Sequence, residues 1–301
     1  MIEDNMEPPL LGLEGASPPA PEWFTRALAV PFESYSVTVD GAAIDCRAWG
    51  ERGKPGLVFF HGNAAHLGWW SFLAPLFAAD YRVVAFSLSG MGASDRRAAY
   101  STELYIREGL AAAEAGGALL AGPPVMIGHS AGGMPVFGLA ARFPDRLRAA
   151  IVVDTGLPGP EMTAKPPRHT GRTYPSLSAA LDRFRLSPPQ PCENIYVADY
   201  IARLGVVRQD DGNFAWRFDP RLMEARDLGD SWADLAGAKV PLALIRGERS
   251  WLSGGAMEQR MRHTAPAGTP FIAIPEAYHH VMVDQPLALV AALRTLLEAW
   301  A

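Results

Sequence analysis

A serine sits between glycines in Gly128-His129-Ser130-Ala131-Gly132, directly after the apolar run Pro124 to Ile127. A serine hydroxyl is a weak nucleophile until a neighbouring base takes its proton. Five residues of this type match many chains by chance, so their setting decides what they mean. Here a buried strand is expected before Ser130 and a helix, MPVFGLAARF (134–143), after it. In that setting the serine occupies a tight strand-to-helix turn that Gly128 and Gly132 keep clear of clashes, and the helix N-terminus favours developing negative charge. The candidate bases are His279 and His280, in PEAYHHVMVDQP just after the last expected strand. Sites in open α/β sheets form at the ends of parallel strands. His129 adjoins the serine but points elsewhere in such a turn, and His61 belongs to another loop. His66, His169 and His263 have no convergent context.

These residues need a scaffold. SYSVTVDG (34–41) and AIDCRAWG (43–50) read as an antiparallel pair turned at Asp40-Gly41. GLVFFHG (56–62) and YRVVAFSLSG (81–90) are continuous apolar runs, as expected of strands covered on both faces. HLGWWSFLAPLFAA between them reads as a helix, as does Thr102 to about Leu120. PVMIG (124–128), LRAAIVVD (147–154), PLALIRG (241–247) and TPFIAIP (269–275) continue the strands; helices are expected over Gly254–Thr264 and Gln285–Trp300. This alternation predicts an α/β fold with a mostly parallel, doubly wound sheet and an antiparallel start. The rhythm breaks between residues 155 and 236, a stretch dense in Pro, Arg and aromatics that is too long for a loop. It is expected to be a helical cap inserted after the sixth strand. The core is then residues 21–154 and 237–301, preceded by a flexible leader at 1–20.

With these features together, the chain resembles the α/β-hydrolase fold superfamily from about Tyr35 onward. The residues that carry the likeness are GHSAG, His61-Gly62-Asn63 after a strand, SGMGASD (Ser89 to Asp95), and His279 followed by VMVDQP. The resemblance implies that Ser130 is the nucleophile. It also favours His279 over His280 as base, because His279 stands at the family's usual distance ahead of Pro286. It implies an oxyanion hole from the backbone N–H groups of Asn63 and Ala131, two donors preset for developing charge. The third triad member departs from the pattern. Relatives often carry Gly-x-x-Asp after the strand that follows the cap, whereas this chain reads Gly247-Glu248-Arg249-Ser250. A serine cannot stabilise an imidazolium as a carboxylate does. Asp154, at the end of AAIVVD, is the first candidate; the haloalkane dehalogenases similarly place an acid at that strand's end. Glu248 is the alternative. SLSGMGASD lacks the acid often found at its start and has no assigned catalytic role.

Composition narrows the function classes. The chain has 301 residues, is 49% hydrophobic and 20% charged, and has a net charge of −5. That balance offers no field for nucleic acid. Cys46 and Cys192 are too few for a disulfide framework, and no CxxC or HExxH spacing suggests a metal. The acidic, proline-rich start lacks signal-peptide character, and no apolar stretch is long enough to span a bilayer. A cytoplasmic protein without membrane contact is expected. The expected activity is a cofactor-free serine hydrolase cleaving an ester or lactone of a small to medium hydrophobic substrate. Gly62, His129, Trp69 and Trp251 are expected to line its pocket, with Trp69 also a candidate for core packing. Carbon–carbon hydrolysis of a diketone is the enzymatic alternative, and a non-catalytic binding protein is the alternative from another class. Oligomeric state and the acyl and leaving groups are left open.

Overall fold

The computed structural model describes residues 6–159, 171–222 and 226–300. Eight strands form one sheet: β1 (Glu33–Val39), β2 (Ala42–Trp49), β3 (Gly56–Phe60), β4 (Arg82–Phe86), β5 (Val125–His129), β6 (Ala149–Val153), β7 (Leu242–Gly247) and β8 (Phe271–Ile274). Their spatial order is β1-β2-β4-β3-β5-β6-β7-β8. β1 and β2 pair antiparallel, as do β2 and β4; every later pair is parallel. The β1–β2 turn has positive φ at both Asp40 (46°) and Gly41 (81°), the combination that matches the twist of a hairpin.

The apolar runs are continuous because both faces of the sheet are covered. Leu57 and Phe59 of β3 enter one core with Trp70, Phe72 and Leu293, while Val58 and Phe60 enter a second core with Phe86, Tyr105 and Phe137. Side chains that alternate across a strand therefore find hydrophobic partners on both sides.

Local chemistry trims several expected helices. The helix Thr102–Ala115 starts where Ser101 Oγ accepts the Leu104 N–H, and ends at Gly116-Gly117, ahead of Leu120. The segment HLGWWSFLAPLFAA forms two 3₁₀ turns, Leu67–Trp69 and Ala74–Phe77, rather than a helix. Pro75 has no N–H to continue an α-helix and would clash with the preceding turn. The flexible leader is also corrected over its described part: Leu10 is 1% exposed within the first core, and Arg203 Nη2 donates to Gly15 O at 2.7 Å. Residues 1–5 lie outside the described residues. Among the described residues, no helix is long and apolar enough to cross a membrane.

The insertion between β6 and β7 is less helical than expected. It holds helices Leu177–Leu181, Ile195–Leu204 and Ser231–Ala236, but also an antiparallel sheet of Thr173–Tyr174, Phe214–Trp216 and Val206–Arg208. Residues 160–170 and 223–225 of the expected cap lie outside the described residues. Polar side chains stitch the insertion to the loop after β8. Gln190 Nε2 donates to both oxygens of Asp284, and its Oε1 accepts the His280 N–H at 2.8 Å. Asn194 Nδ2 donates to the carbonyls of Val283 and Asp284. Burial pushes the Asp284 carboxyl up to about 6, although the Tyr278 N–H and Gln190 favour its charged form.

Two stability measurements follow from this packing. Leu10→Ala should cost about 2–4 kcal/mol in urea unfolding if residues 6–20 are docked as described; an unchanged midpoint would contradict that docking. The Asp284 carboxyl binds its proton more tightly folded than unfolded, where the value is near 3.8. Its contribution to stability therefore falls as pH rises from about 4 to about 6 and is level above. Relative to Asp284→Asn, the wild type should gain about 1 kcal/mol when unfolding is measured at about pH 5 instead of about pH 7.5. A difference that is flat with pH would be inconsistent with the buried carboxyl.

Candidate active site

Ser130 begins where β5 ends. Its φ is +52°, a conformation that costs a non-glycine residue on the order of 1–3 kcal/mol and persists only where the surroundings enforce it. Close approach explains the flanking glycines. A Cβ on Gly128 would lie 2.3 Å from Gly132 O, and one on Gly132 would lie 2.4 Å from His61 O. Thr155 Oγ1 donates to Ser130 O at 2.8 Å and pins the turn from the next loop. A 3₁₀ turn, Ser130–Gly132, runs into the helix Gly133–Arg142. The Ala131 N–H therefore belongs to a first helical turn, whose N–H groups have no intrahelical acceptors. Gly62 and Asn63, just after β3, line the same cavity as Ser130.

His279 completes a hydrogen-bonded chain. Its Nε2 lies 3.0 Å from Ser130 Oγ and its Nδ1 lies 2.8 Å from Asp154 Oδ1. Asp154 is 1% exposed and has φ +45°, so a second strained residue stands at the end of β6. Its Oδ2 accepts the Gly247 N–H at 2.7 Å, and its Oδ1 also accepts the Ser250 hydroxyl at 2.7 Å. Ser250 is the residue at the position where the resemblance led us to seek the acid. Here it serves the acid that stands on the neighbouring strand. Ser250 and Thr155 are contributors that the sequence did not single out. The only signal was Ser250 at the position where the acid was sought.

Other candidates are placed elsewhere. Glu248 is exposed and its Oε2 accepts the Glu276 N–H, so it does not meet His279. Position 248 follows the end of β7, and the strand's alternation turns its side chain away from Asp154. Trp251 is 59% exposed and is not part of the cavity lining. Trp69 does line the cavity, 8% exposed, with its ring 5.2 Å from that of His280. His280 is 3% exposed beneath it and makes no hydrogen bond to Ser130. His129 Nε2 lies 3.0 Å from His279 O, so the ring beside the serine holds the backbone of the candidate base. His66 Nε2 meets Ile201 O at 2.9 Å and His61 Nε2 accepts the Leu88 N–H, both structural roles. His169 lies outside the described residues.

Burial keeps the surrounding imidazoles neutral. His129 and His280 are held well below the usual histidine value by desolvation, with the neighbouring His279 acting in the same direction. Ring nitrogens of His129, His279 and His280 also lie within 4.8 Å of one another, a set that could take a transition metal. Such an ion would compete with Ser130 for His279. Motif spacing could not reveal this cluster, because its members come from the end of β5 and from the loop after β8, far apart in sequence. Cys46 and Cys192 are both free, and burial pushes the Cys192 thiol up to about 12.

The cavity over Ser130 has a volume of about 430 Å³ and lies between the sheet's C-terminal edge and the insertion. Trp69, Tyr174, Phe184, Trp216 and Phe218 supply aromatic walls. A buried, charge-oriented imidazole on a strained serine hydroxyl is an arrangement suited to acyl transfer.

Known proteins share this arrangement of elements. The chain is 26% identical to Esterase Rv0045c of Mycobacterium tuberculosis over 283 residues, covering 86% of this chain and 88% of that protein. A crystal structure of that esterase aligns with a TM-score of 0.71, covering 92% of this chain and 95% of that one. E-2-(acetamidomethylene)succinate hydrolase aligns with a TM-score of 0.74 at 22% identity, over 89% of this chain and all of that one, a likeness of fold. The profile of the Alpha/beta hydrolase family matches residues 57–293, which include Ser130, Asp154 and His279, and the chain belongs to that family.

Proposed function

We propose that this protein is a serine hydrolase that cleaves a carboxylic ester, open-chain or lactone, through an acyl-enzyme. The observation that carries this reading is the continuous chain Ser130 Oγ, His279 Nε2, His279 Nδ1, Asp154 Oδ1, with 3.0 Å and 2.8 Å links, opening on one cavity. Esterase naming among relatives supports the same class.

In this reading Ser130 Oγ attacks the substrate carbonyl while its proton passes to His279 Nε2. The tetrahedral oxyanion is held by the N–H groups of Ala131 and Asn63. Collapse breaks the bond to the leaving oxygen, which takes the proton from His279. Water then attacks the acyl-enzyme with His279 as base, and the carboxylic acid departs from a regenerated Ser130. Asp154 holds Nδ1 protonated and stabilises the imidazolium. The insertion serves as a cap that roofs the acyl site. Its aromatic walls accommodate an apolar portion of a small to medium substrate.

Hydrolysis of p-nitrophenyl butyrate by four proteins tests this. Ser130→Ala and Asp154→Asn should each lose about 10³-fold or more in kcat, whereas Glu248→Gln should stay within about threefold of wild type. A fluorophosphonate should label the wild type and not Ser130→Ala. Equal turnover by wild type and Ser130→Ala would refute the serine mechanism. An active Asp154→Asn with an inactive Glu248→Gln would move the acid to the later strand.

A further inference from the structure

The cavity over Ser130 has a one-sided charge. Arg96, Arg172, Arg183, Arg185 and Arg217 all line it, and among the described residues no Asp or Glu does. The protein as a whole carries 32 acidic and 27 basic residues. Five arginines lining one cavity in an acidic chain are therefore a local reversal of charge, not a reflection of composition. The cavity's histidines do not add to it or cancel it: burial pushes His66 down to about 4, and holds His129 and His280 well below the usual range.

Most of these arginines are held at one edge or not at all. Arg217, half-buried just after Phe214–Trp216, uses Nε to reach Val206 O at 3.3 Å. Arg96 donates to Phe218 O, and Arg185 to Met6 O. Arg172 and Arg183 are exposed side chains that form no ion pair with a described carboxylate. Asp45 and Asp219 feel Arg217 and Arg96 electrostatically from outside the lining, without forming ion pairs with them. Like charges brought together around a partly enclosed space repel one another. An anion inside that space turns their proximity into attraction. Arginine's planar fork suits a carboxylate or phosphate, which it can hold by two parallel hydrogen bonds.

We infer that the substrate carries an oxyanionic group, a carboxylate or a phosphate, on a part of the molecule away from the scissile ester, and that the arginine wall selects for it. This rests on the serine-hydrolase reading and narrows its substrate class. The aromatic walls beside Ser130 then hold the apolar segment that joins ester to anion. The same wall draws anionic substrates toward the mouth, an effect that salt weakens.

Two matched ester pairs test the inference: p-nitrophenyl hemiadipate against p-nitrophenyl heptanoate, and p-acetoxybenzoate against its methyl ester. The first places the charge on the acyl side and the second on the alcohol side. Each kcat/KM is divided by the rate of hydroxide-catalysed hydrolysis of the same ester. In at least one pair the anionic ester should lead by about tenfold or more, as expected for charge-assisted hydrogen bonds to one guanidinium. That ratio should shrink severalfold in Arg217→Gln and Arg183→Gln and at raised sodium chloride. Arg107→Gln, which loses the same charge outside the cavity, should leave the ratio where it was. Protection of Ser130 from fluorophosphonate by adipate or by inorganic phosphate then distinguishes the two oxyanions. Ser130-dependent turnover with no anionic preference in either pair overturns this inference and leaves the hydrolase standing. Absence of both turnover and labelling overturns the hydrolase reading and this inference with it.

Discussion

Asp154 is a carboxylate buried to 1% exposure, and the site is built around satisfying it. An unpaired charge at that depth would be strongly destabilising, so its oxygens must be met by donors. Three separate segments supply them: the Gly247 N–H at the end of β7, the Ser250 hydroxyl in the loop beyond, and His279 Nδ1 from the loop after β8. The same hydrogen bonds that make the burial tolerable fix the imidazole's orientation. That orientation aims Nε2 at a serine held in a strained turn by close packing against Gly128, Gly132 and Thr155.

The position of the buried carboxylate follows from how two neighbouring strands end. β6 and β7 are neighbours in register, with Val153 opposite Ile245, so their C-terminal ends open onto the same space. When the carboxylate stands on β6, the residue at the β7 position needs only to donate, and a serine does so without adding a second buried charge. The positive φ of Asp154 lets its chain turn back toward His279 instead of continuing along the strand.

The insertion acts on the site at two levels. Gln190 and Asn194 tie it to Asp284 and to the loop that carries His279. Its short sheet and the segment after the helix Leu177–Leu181 place aromatic and arginine residues around the cavity over the serine, which gives it both apolar walls and positive charge. The expectation of a small to medium hydrophobic substrate took no account of this charge. Arginines scattered over residues 96 to 217 do not announce a shared surface until the chain is folded.

Sequence alone determined the strand succession, the doubly covered sheet, the Asp40-Gly41 hairpin, and Ser130 with its glycines. Each of these is written in short-range periodicity or in steric demands between near neighbours. His279 was legible from its place after the last strand. Glu248, Trp251 and His280 were attractive by proximity in sequence, and the fold set them aside because alternation along a strand and burial beneath Trp69 decide where a side chain points. The choice of Asp154, the service of Ser250, the docking of Leu10 and the arginine wall were decided only in three dimensions. They depend on contacts between residues as far apart as 154 and 279, or 10 and the far core, and no local pattern encodes which distant partners will satisfy a buried charge or fill a hydrophobic gap.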